Sequence, residues 1–293
     1  MGAGEFASLG TAICWTVTVM SFEIAGKRVG SLPVNILRLL AGLIFLSLYN
    51  LAVRGEPLPI DADASQWFWL GLSGLVGFVI GDICLFRAFI LIGSRISMVI
   101  YAMVPPITAV SGWMLLGETL TLRQWSGIMV TVTGICMVIL VKGSKRIKLA
   151  HPTGGIFLAL GGTVAQAIGL VLSKLGMGQY NAFAATQIRI ITALAVFVLI
   201  LPFTRLTGRL ILALRDRRAM KFLALGSFFG PFLGVSLSLV AIRLIEVGVA
   251  STIMAMVPVF VILPEVLIMG KKVRLLEVLG AVVVIAGVGL VSL

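Results

Sequence analysis

The chain has 293 residues, of which 60% are hydrophobic and only 12% charged, and its mean hydropathy is +1.16. Soluble domains carry about 25% charged residues, so the composition excludes a water-soluble globular fold, and the apolar content excludes a disordered or collagenous chain. The net charge of +12 would suggest nucleic-acid binding in a soluble protein. In a membrane protein such charge is expected in the loops that fix orientation. We therefore predict an all-α polytopic membrane protein that lies in the lipid bilayer and does not bind nucleic acid.

Ten apolar runs predict ten transmembrane helices, because a membrane-spanning helix needs about 20 apolar residues. In chain order they cover residues 5–25, 33–53, 67–92, 95–116, 122–141, 153–176, 181–203, 219–245, 249–269 and 273–293. The first run lacks a basic segment before it and a small-residue cleavage site after it, so we interpret it as a helix and not as a signal peptide. Cys14, Cys84 and Cys136 fall inside these runs and are interpreted as small core residues, not as disulfide or metal ligands.

The second half of the sequence repeats the first. Residues 66–140 align with residues 219–293 at a constant offset of 153, and the first helices of each half align at an offset of 151. The repeat-related pairs are Gly77 with Gly230, Gly81 with Gly234, Pro105 with Pro258, Trp15 with Gln166 and Arg38 with Arg189. We predict a first five-helix repeat over 1–141, a basic linker over 142–152 and a second five-helix repeat over 153–293. Because five is odd, the second copy enters the membrane from the opposite side, which predicts the inverted repeats common in secondary transporters.

The basic residues of the connectors predict the orientation of the chain. Sixteen lie on the side opposite both termini: Lys27, Arg28, Arg95, Lys142, Lys145, Arg146, Lys148, Arg205, Arg209, Arg215, Arg217, Arg218, Lys221, Lys271, Lys272 and Arg274. Four lie on the terminal side: Arg54, Arg123, Lys174 and Arg243. Since cytoplasmic loops carry the excess of Lys and Arg, we predict cytoplasmic basic loops and periplasmic termini in a bacterial inner membrane.

Several motifs make the sequence similar to a known family. They are Trp15, Arg38, the segment 97–105 (SMVIYAMVP), the segment 116–121 (LGETLT) and Gly127. With the repeat, they resemble the ten-helix EamA-type members of the drug/metabolite transporter superfamily, and among these the YddG-like amino-acid exporters. The resemblance implies export of amino acids or similar small metabolites without a cofactor. The Gly-Glu pair of this family is Gly117-Glu118 in the first repeat but Gly270-Lys271 in the second. Any role of the glutamate can therefore be filled only by Glu118. Family members usually have cytoplasmic termini, whereas the loop charges predict the reverse here.

Glycines and prolines in equivalent helices are candidates for helix packing and hinges. Gly77 and Gly81 in the third helix, and Gly230 and Gly234 in the eighth, form G-x-x-x-G elements that allow a neighbouring helix to approach closely. Such faces either pack passively or allow helices to rock. Pro105 and Pro106 in the fourth helix and Pro258 in the ninth are expected to interrupt these helices near their centres. Interrupted backbone in a membrane is tolerated where it is buried in protein or lines a cavity.

Charged residues inside the predicted helices are candidates for coupling or charge pairing. Asp82 lies near the middle of the third helix, where a charge is costly and indicates a function, such as carrying a proton, or a structural hydrogen bond. Glu265, near the end of the ninth helix, is the second acid of interest. Arg38 and Arg189 lie inside the second and seventh helices and are expected either to pair with a carboxylate or to bind an anionic group of the substrate.

The remaining candidates are polar or aromatic residues of helices expected to line a central cavity. They are Trp15, Asp82, Tyr101, Gln166, Ser236, Ser238, Thr252 and Met254. Packing explains each of them as well as a cavity wall does. An intramembrane enzyme is not expected, because Ser73 in a short GxSG pattern has no nearby base: the only histidine, His151, lies in the linker.

The sequence therefore predicts a secondary transporter of small molecules, with amino acids, including aromatic ones, as the best-fitting substrates. It is expected to act by alternating access as a monomer or homodimer, with no metal and no other cofactor. Two alternatives stay open. One is an exchanger or uptake carrier for a nucleotide-conjugated or lipid-linked metabolite, and the other is a membrane partner protein that transports nothing.

Overall fold

Ten helices in the computed structural model are long and apolar enough to cross a membrane, counted over the described residues 2–141, 152–201, 206–267 and 274–292. We number them α1 to α10: Ala3–Val29, Ser31–Arg54, Ala64–Gly93, Ile96–Leu116, Leu122–Leu140, Thr153–Met177, Ala182–Ile200, Arg217–Leu244, Val247–Pro264 and Leu275–Ser292. A short additional helix, Leu206–Arg215, lies between α7 and α8. Each of the ten predicted runs corresponds to one of these helices. Residues 142–151 of the predicted linker, Lys271, Lys272 and the side chain of Glu265 lie outside the described part.

The helix ends follow from local sequence signals. Gly30, with φ of 88°, separates α1 from α2, and Gly93, with φ of 79°, separates α3 from α4. Glycine adopts a positive φ without the steric penalty that a Cβ would bring, so both sharp turns require it. Polar caps begin three other helices. Asp63 accepts a hydrogen bond from the Gln66 amide before α3, and Asn181 and Asp216 cap α7 and α8 in the same way.

Helices α5 and α10 meet along a seam of four glycines. A Cβ added at Gly127 would lie 2.8 Å from the carbonyl oxygen of Gly287, and one added at Gly134 would lie 2.8 Å from that of Gly280. Residue numbers rise along one helix as they fall along the other, so the two helices are antiparallel. Small residues allow such close backbone approach in a membrane. The seam joins the last helix of each half.

Two further helix pairs cross between the halves, and glycines again form the contacts. On α8, Gly230 would place a Cβ 2.8 Å from Thr18 of α1. On α6, Gly169 would place one 3.1 Å from the Cα of Gly77 in α3, and Gly176 one 2.5 Å from Trp69. The first and third helices of each half therefore pack against the third and first helices of the other half.

Both halves carry a π-helical segment at the same place in the repeat. Residues Leu75–Gly81 of α3 and Phe228–Gly234 of α8 are π-helical, and their numbers differ by the offset of the repeat. π-helical turns are rare and are frequently found at functional sites. The two G-x-x-x-G elements lie inside these segments.

The interruptions of α4 and α9 also coincide in the repeat, but they differ from the expected form. The helices break at the pairs Ala102–Met103 and Ala255–Met256, just before the prolines. Pro105 and Pro106 occupy the first turn of the segment Val104–Leu116, where proline is favoured because its missing N–H needs no partner. The expectation that the prolines themselves interrupt the helices was therefore wrong in detail: they begin the second segments.

The packing is that of a membrane protein, with polar as well as apolar side chains inside and many apolar side chains on the outer surface. Ser8, Thr11 and Asn50 are fully buried, whereas Ile44 and Leu48 of α2 are more than half exposed. Many of the buried hydroxyls donate to the backbone of their own helix, as in the bond from Ser8 to the Gly4 carbonyl. The exposed apolar faces are suited to contact with lipid.

Candidate functional site

The site begins with an ion pair between Arg38 of α2 and Asp82 of α3. Nη2 of Arg38 contacts Oδ2 of Asp82, and both side chains are largely buried, with 17% and 12% exposed. Nε of Arg38 donates a second hydrogen bond to Oδ1 of Asn35, at 2.8 Å. A buried charge is costly in a membrane unless it is paired. The first of the two repeat-related arginines thus has the carboxylate partner that the sequence analysis considered.

Gln166 of α6 connects this ion pair to the second half of the chain. Its Nε2 donates to Oδ1 of Asp82 at 3.1 Å and to the carbonyl oxygen of Gly77 at 3.0 Å. Gly77 lies inside the π-helical segment that ends immediately before Asp82. The amide of Gln166 therefore holds the carboxylate and the irregular backbone together.

Arg189 of α7 approaches the same face of α3 from the second half. Only 5% of the residue is exposed, and its guanidinium carbon lies 4.6 Å from the centre of the Phe78 ring. Its backbone passes so close to α3 that a Cβ at Gly74 would lie 2.3 Å from the Arg189 carbonyl oxygen. Arg189 interacts electrostatically with Asp82, but Nε has no hydrogen-bond partner among the described residues.

Tyr101 completes the cluster from α4, at the last residue before the interruption of that helix. It is partly buried and lies within electrostatic reach of both Asp82 and Arg38. The group of Arg38, Asp82, Tyr101, Gln166 and Arg189 therefore draws one side chain from each of five spans. We call these five residues the polar cluster. Two arginines and one aspartate give it a formal charge of +1.

Trp15 of α1 lies at the repeat-related position of Gln166, and it contacts α8 as Gln166 contacts α3. A Cβ at Gly234 would lie 2.8 Å from Nε1 of Trp15, and a Cβ at Gly81 would lie 2.9 Å from Nε2 of Gln166. The last glycine of each π-helical segment is thus covered by the same position of the partner helix. The contacts of the two positions differ: Gln166 also donates a hydrogen bond to the Asp82 carboxylate, whereas the residue equivalent to Asp82 in the second half is Val235.

This geometry can be compared with known proteins. Two segments of the chain, residues 2–140 and 153–293, match the family model described as the EamA-like transporter family. The chain belongs to the EamA-like transporter family. Each matched segment contains five of the ten spans. A multi-pass membrane protein with two repeated halves, as the sequence predicted, follows from this membership and from the ten helices.

Solved structures add the fold but no function for this EamA-like protein. Twenty-nine chains of solved structures match it. One of them, titled "Crystal structure of protein", is 15% identical, covers 97% of this chain and 94% of its own, and superposes with a TM-score of 0.76. At that identity the likeness concerns the fold alone. No curated protein matches the chain.

Four residues predicted to line the cavity of the EamA-like protein lie apart from the polar cluster. Ser236, Ser238, Thr252 and Met254 are at most 2% exposed. The Ser238 and Thr252 hydroxyls donate to backbone carbonyls of their own helices, and Ser236 bonds Thr186 at 3.2 Å. The structure therefore gives these residues packing contacts, and their place in a cavity stays a prediction. In the part of the chain described, no three His, Cys, Asp or Glu side chains are grouped so as to hold a metal.

Three residues that matter to the geometry were not identified from the sequence. Phe78 covers the Arg189 guanidinium, Asn35 supports Arg38, and Gly74 admits the backbone of α7. Asn35 lies three residues before Arg38 on the same helix, and this spacing could have indicated the contact. Phe78 and Gly74 carry no such signal, since their partner is more than a hundred residues away in the chain.

Proposed function

We propose that this EamA-like protein is a secondary active transporter that exports small metabolites, with amino acids as the substrate class. The family is one of membrane transporters of small molecules. The observation that carries the proposal is the polar cluster, which joins five spans from both halves inside the membrane region. Polar groups in such places are costly and typically mark a substrate or ion pathway.

Alternating access between two inverted halves is the mechanism we infer. Two observations support it: the antiparallel seam between α5 and α10, and the π-helical segments at equivalent positions of α3 and α8. Equivalent irregular helices that pack against the opposite half give both halves the same means of local movement. Secondary transporters with inverted repeats move one half against the other around a site near the membrane midplane.

The chemistry of the cluster supports amino acids as the substrate class. It contains groups of both signs together with an amide and a phenol, which suits a zwitterion. Tyr101 supplies aromatic surface within the cluster, and Trp15 supplies it at the repeat-related position of Gln166, which suits an aromatic side chain. The resemblance to YddG-like exporters favours the same substrates. We place the halves at residues 1–141 and 153–293, the basic loops in the cytoplasm of a bacterial inner membrane, and both termini in the periplasm.

The test is solute flux with the purified protein in proteoliposomes. Vesicles preloaded with radiolabelled L-phenylalanine, L-methionine or L-threonine are followed with and without an imposed pH gradient, beside protein-free vesicles. Faster loss of at least one amino acid, accelerated by the gradient, is expected. Exchange of a nucleotide-conjugated metabolite without amino-acid flux would support the alternative carrier. Absence of any flux would support a membrane partner protein.

A further inference from the structure

Arg189 is a buried cation that forms no ion pair with an acidic side chain in the described part of the chain, although Asp82 lies within electrostatic reach. Its repeat-related counterpart, Arg38, has both Asp82 and Asn35. Arg189 has neither an ion pair nor a hydrogen-bond partner for Nε among the described residues, although only 5% of the residue is exposed. Buried charges in proteins are normally paired, because removing an ion from water costs several kcal/mol. The exception needs a reason.

An aromatic ring covers one face of the Arg189 guanidinium, whereas its Nε has no hydrogen-bond partner among the described residues. Phe78 lies against the guanidinium at 4.6 Å, in the arrangement of a cation–π contact. Gly77 offers no side chain next to it: a Cβ there would lie 3.5 Å from Nη2. The N–H groups of a guanidinium lie in its own plane, where they can make two parallel hydrogen bonds to a carboxylate.

Asp82 directs its two carboxylate oxygens to other partners and forms no hydrogen bond or ion pair with Arg189 among the described contacts. Oδ2 contacts Arg38 and Oδ1 accepts from Gln166 at 3.1 Å. The cluster therefore holds one positive charge in excess, close to a carboxylate of opposite sign. A ligand that brings an anionic group to Arg189 would balance this excess charge.

We propose that Arg189 binds the carboxylate of the transported substrate, with Phe78 and Gly77 orienting its guanidinium. This inference rests on the proposed function and assigns the group that recognises the substrate class. Arg38 instead neutralises the negative charge of Asp82. The repeat has thus given equivalent arginines different roles, and the difference lies in Asp82, which has Val235 as its counterpart in the second half.

The test compares ligands that differ only in the anionic group. The full-length protein is purified in detergent, and binding of L-phenylalanine, L-methionine and L-threonine is measured beside their carboxamides from the rise in melting temperature. Wild type should bind at least one amino acid roughly tenfold more tightly than its amide, as expected for a charge-assisted bidentate contact. In Arg189→Gln that preference should disappear, with binding of the amide changed less than about threefold.

Two further variants make the result specific. Arg87→Gln removes an arginine of α3 that is not part of the polar cluster, and it should keep the wild-type preference. Arg189→Lys should retain part of the preference, because an ammonium group lacks the planar fork. If Arg189→Gln does not fold, the comparison is made with Arg189→Lys.

The outcomes separate this inference from the proposed function. Equal binding of acid and amide by wild type, or an unchanged preference in the Arg189 variants, would overturn the role of Arg189. Binding of an amino acid through Arg189 without flux in proteoliposomes would instead overturn the transport proposal.

Discussion

The ammonium group of Lys174 lies 2.7 Å from Oε1 of Glu118 and joins the two halves at the side of the membrane where α1 begins. The contact is an ion pair, and Nζ of Lys174 also donates a hydrogen bond to the Ile245 carbonyl at 2.7 Å. Oε2 of Glu118 in turn accepts from the Val247 amide, at 2.8 Å, at the start of α9. The α4–α5 connector, the end of α6 and the start of α9 are therefore fastened together by one carboxylate.

Loss of this carboxylate is expected to loosen the fastening. Glu118→Gln removes the ion pair and leaves Lys174, which is only 23% exposed, without its counter-charge. We expect destabilisation of about 2 kcal/mol, measured from thermal unfolding in detergent. Glu56→Gln, in another connector on that side, serves as the matched control. The double variant Glu118→Gln/Lys174→Met should be destabilised by less than the sum of the single changes, and strict additivity would contradict the pairing.

Substitutions at the repeat-related glycines Gly81 and Gly234 should have opposite conformational effects. A Cβ at Gly81 would meet Gln166 at 2.9 Å, and one at Gly234 would meet Trp15 at 2.8 Å. Gly81→Leu and Gly234→Leu should therefore push apart α3 from α6 and α8 from α1, respectively. We expect both to suppress flux and to favour states that face opposite sides.

Thiol labelling from each side can check this pair of substitutions. Single cysteines replace Tyr101 or Met254 in a background without Cys14, Cys84 and Cys136. Shifts of accessibility in the same direction for both glycine variants, or normal flux in both, would show that the glycines serve packing alone.

Asp82 is expected to couple transport to the proton gradient. Asp82→Asn keeps a hydrogen-bond acceptor for Gln166 but removes the charge that balances Arg38. Gradient-driven accumulation in proteoliposomes should be abolished, while substrate binding changes only a few-fold, about the effect of one altered hydrogen bond. Asp82→Glu, which retains the charge, should keep part of the coupling. Full coupling in Asp82→Asn would reduce Asp82 to a structural residue.

Acid should weaken a second contact between the halves, in which Asp61 accepts a hydrogen bond from Tyr180 at 2.7 Å and pairs with Arg54. Burial raises the pKa of Asp61, but the bonds from Arg54 and Tyr180 outweigh it and hold the pKa below its ordinary value. The resulting stability is present above the unfolded pKa of about 3.9 and is lost as the pH falls through the lower folded pKa. Melting temperatures of wild type and Asp61→Asn should therefore differ at pH 6 and converge toward about pH 3. A constant difference would contradict this role.

Orientation can be tested with reporter fusions. The loop charges predict that alkaline phosphatase fused after Leu293 is active in the periplasm and that the same reporter inserted at Lys145 is inactive. Comparable expression of both fusions is verified by immunoblot. The reverse pattern would show that the termini are cytoplasmic, as is usual in the family.

Most of the fold could be predicted, because it depends on hydrophobic length and on internal repetition. The ten spans follow from apolar runs, and the repeat identified the equivalent glycines, prolines and arginines. The π-helical segments could not be predicted, since Leu75–Gly81 and Phe228–Gly234 have different sequences and no apolar period distinguishes them from α-helix.

The candidate site was predicted less completely. Asp82 and Arg38 were evident as costly intramembrane charges, but their pairing depends on how α2 packs against α3. Gln166 was identified as the counterpart of Trp15 and as a candidate cavity residue, but its bond to Asp82 arises from the contact between α3 and α6. Ser236 and Thr252 are common polar residues of membrane helices, and their type alone does not distinguish a cavity wall from a hydroxyl that bonds to its own backbone.

The glycine seam between α5 and α10 has a further consequence. Gly127 meets Gly287 and Gly134 meets Gly280, while the repeat equates Gly127 with Gly280 and Gly134 with Gly287. Gly127 therefore contacts the repeat equivalent of Gly134, and Gly134 contacts the repeat equivalent of Gly127. This reciprocal pattern is that of an isologous interface in a two-fold dimer. A single half carries both surfaces of this seam. Two separate copies of the first half, inserted in opposite directions, would have the means to associate through the same glycines.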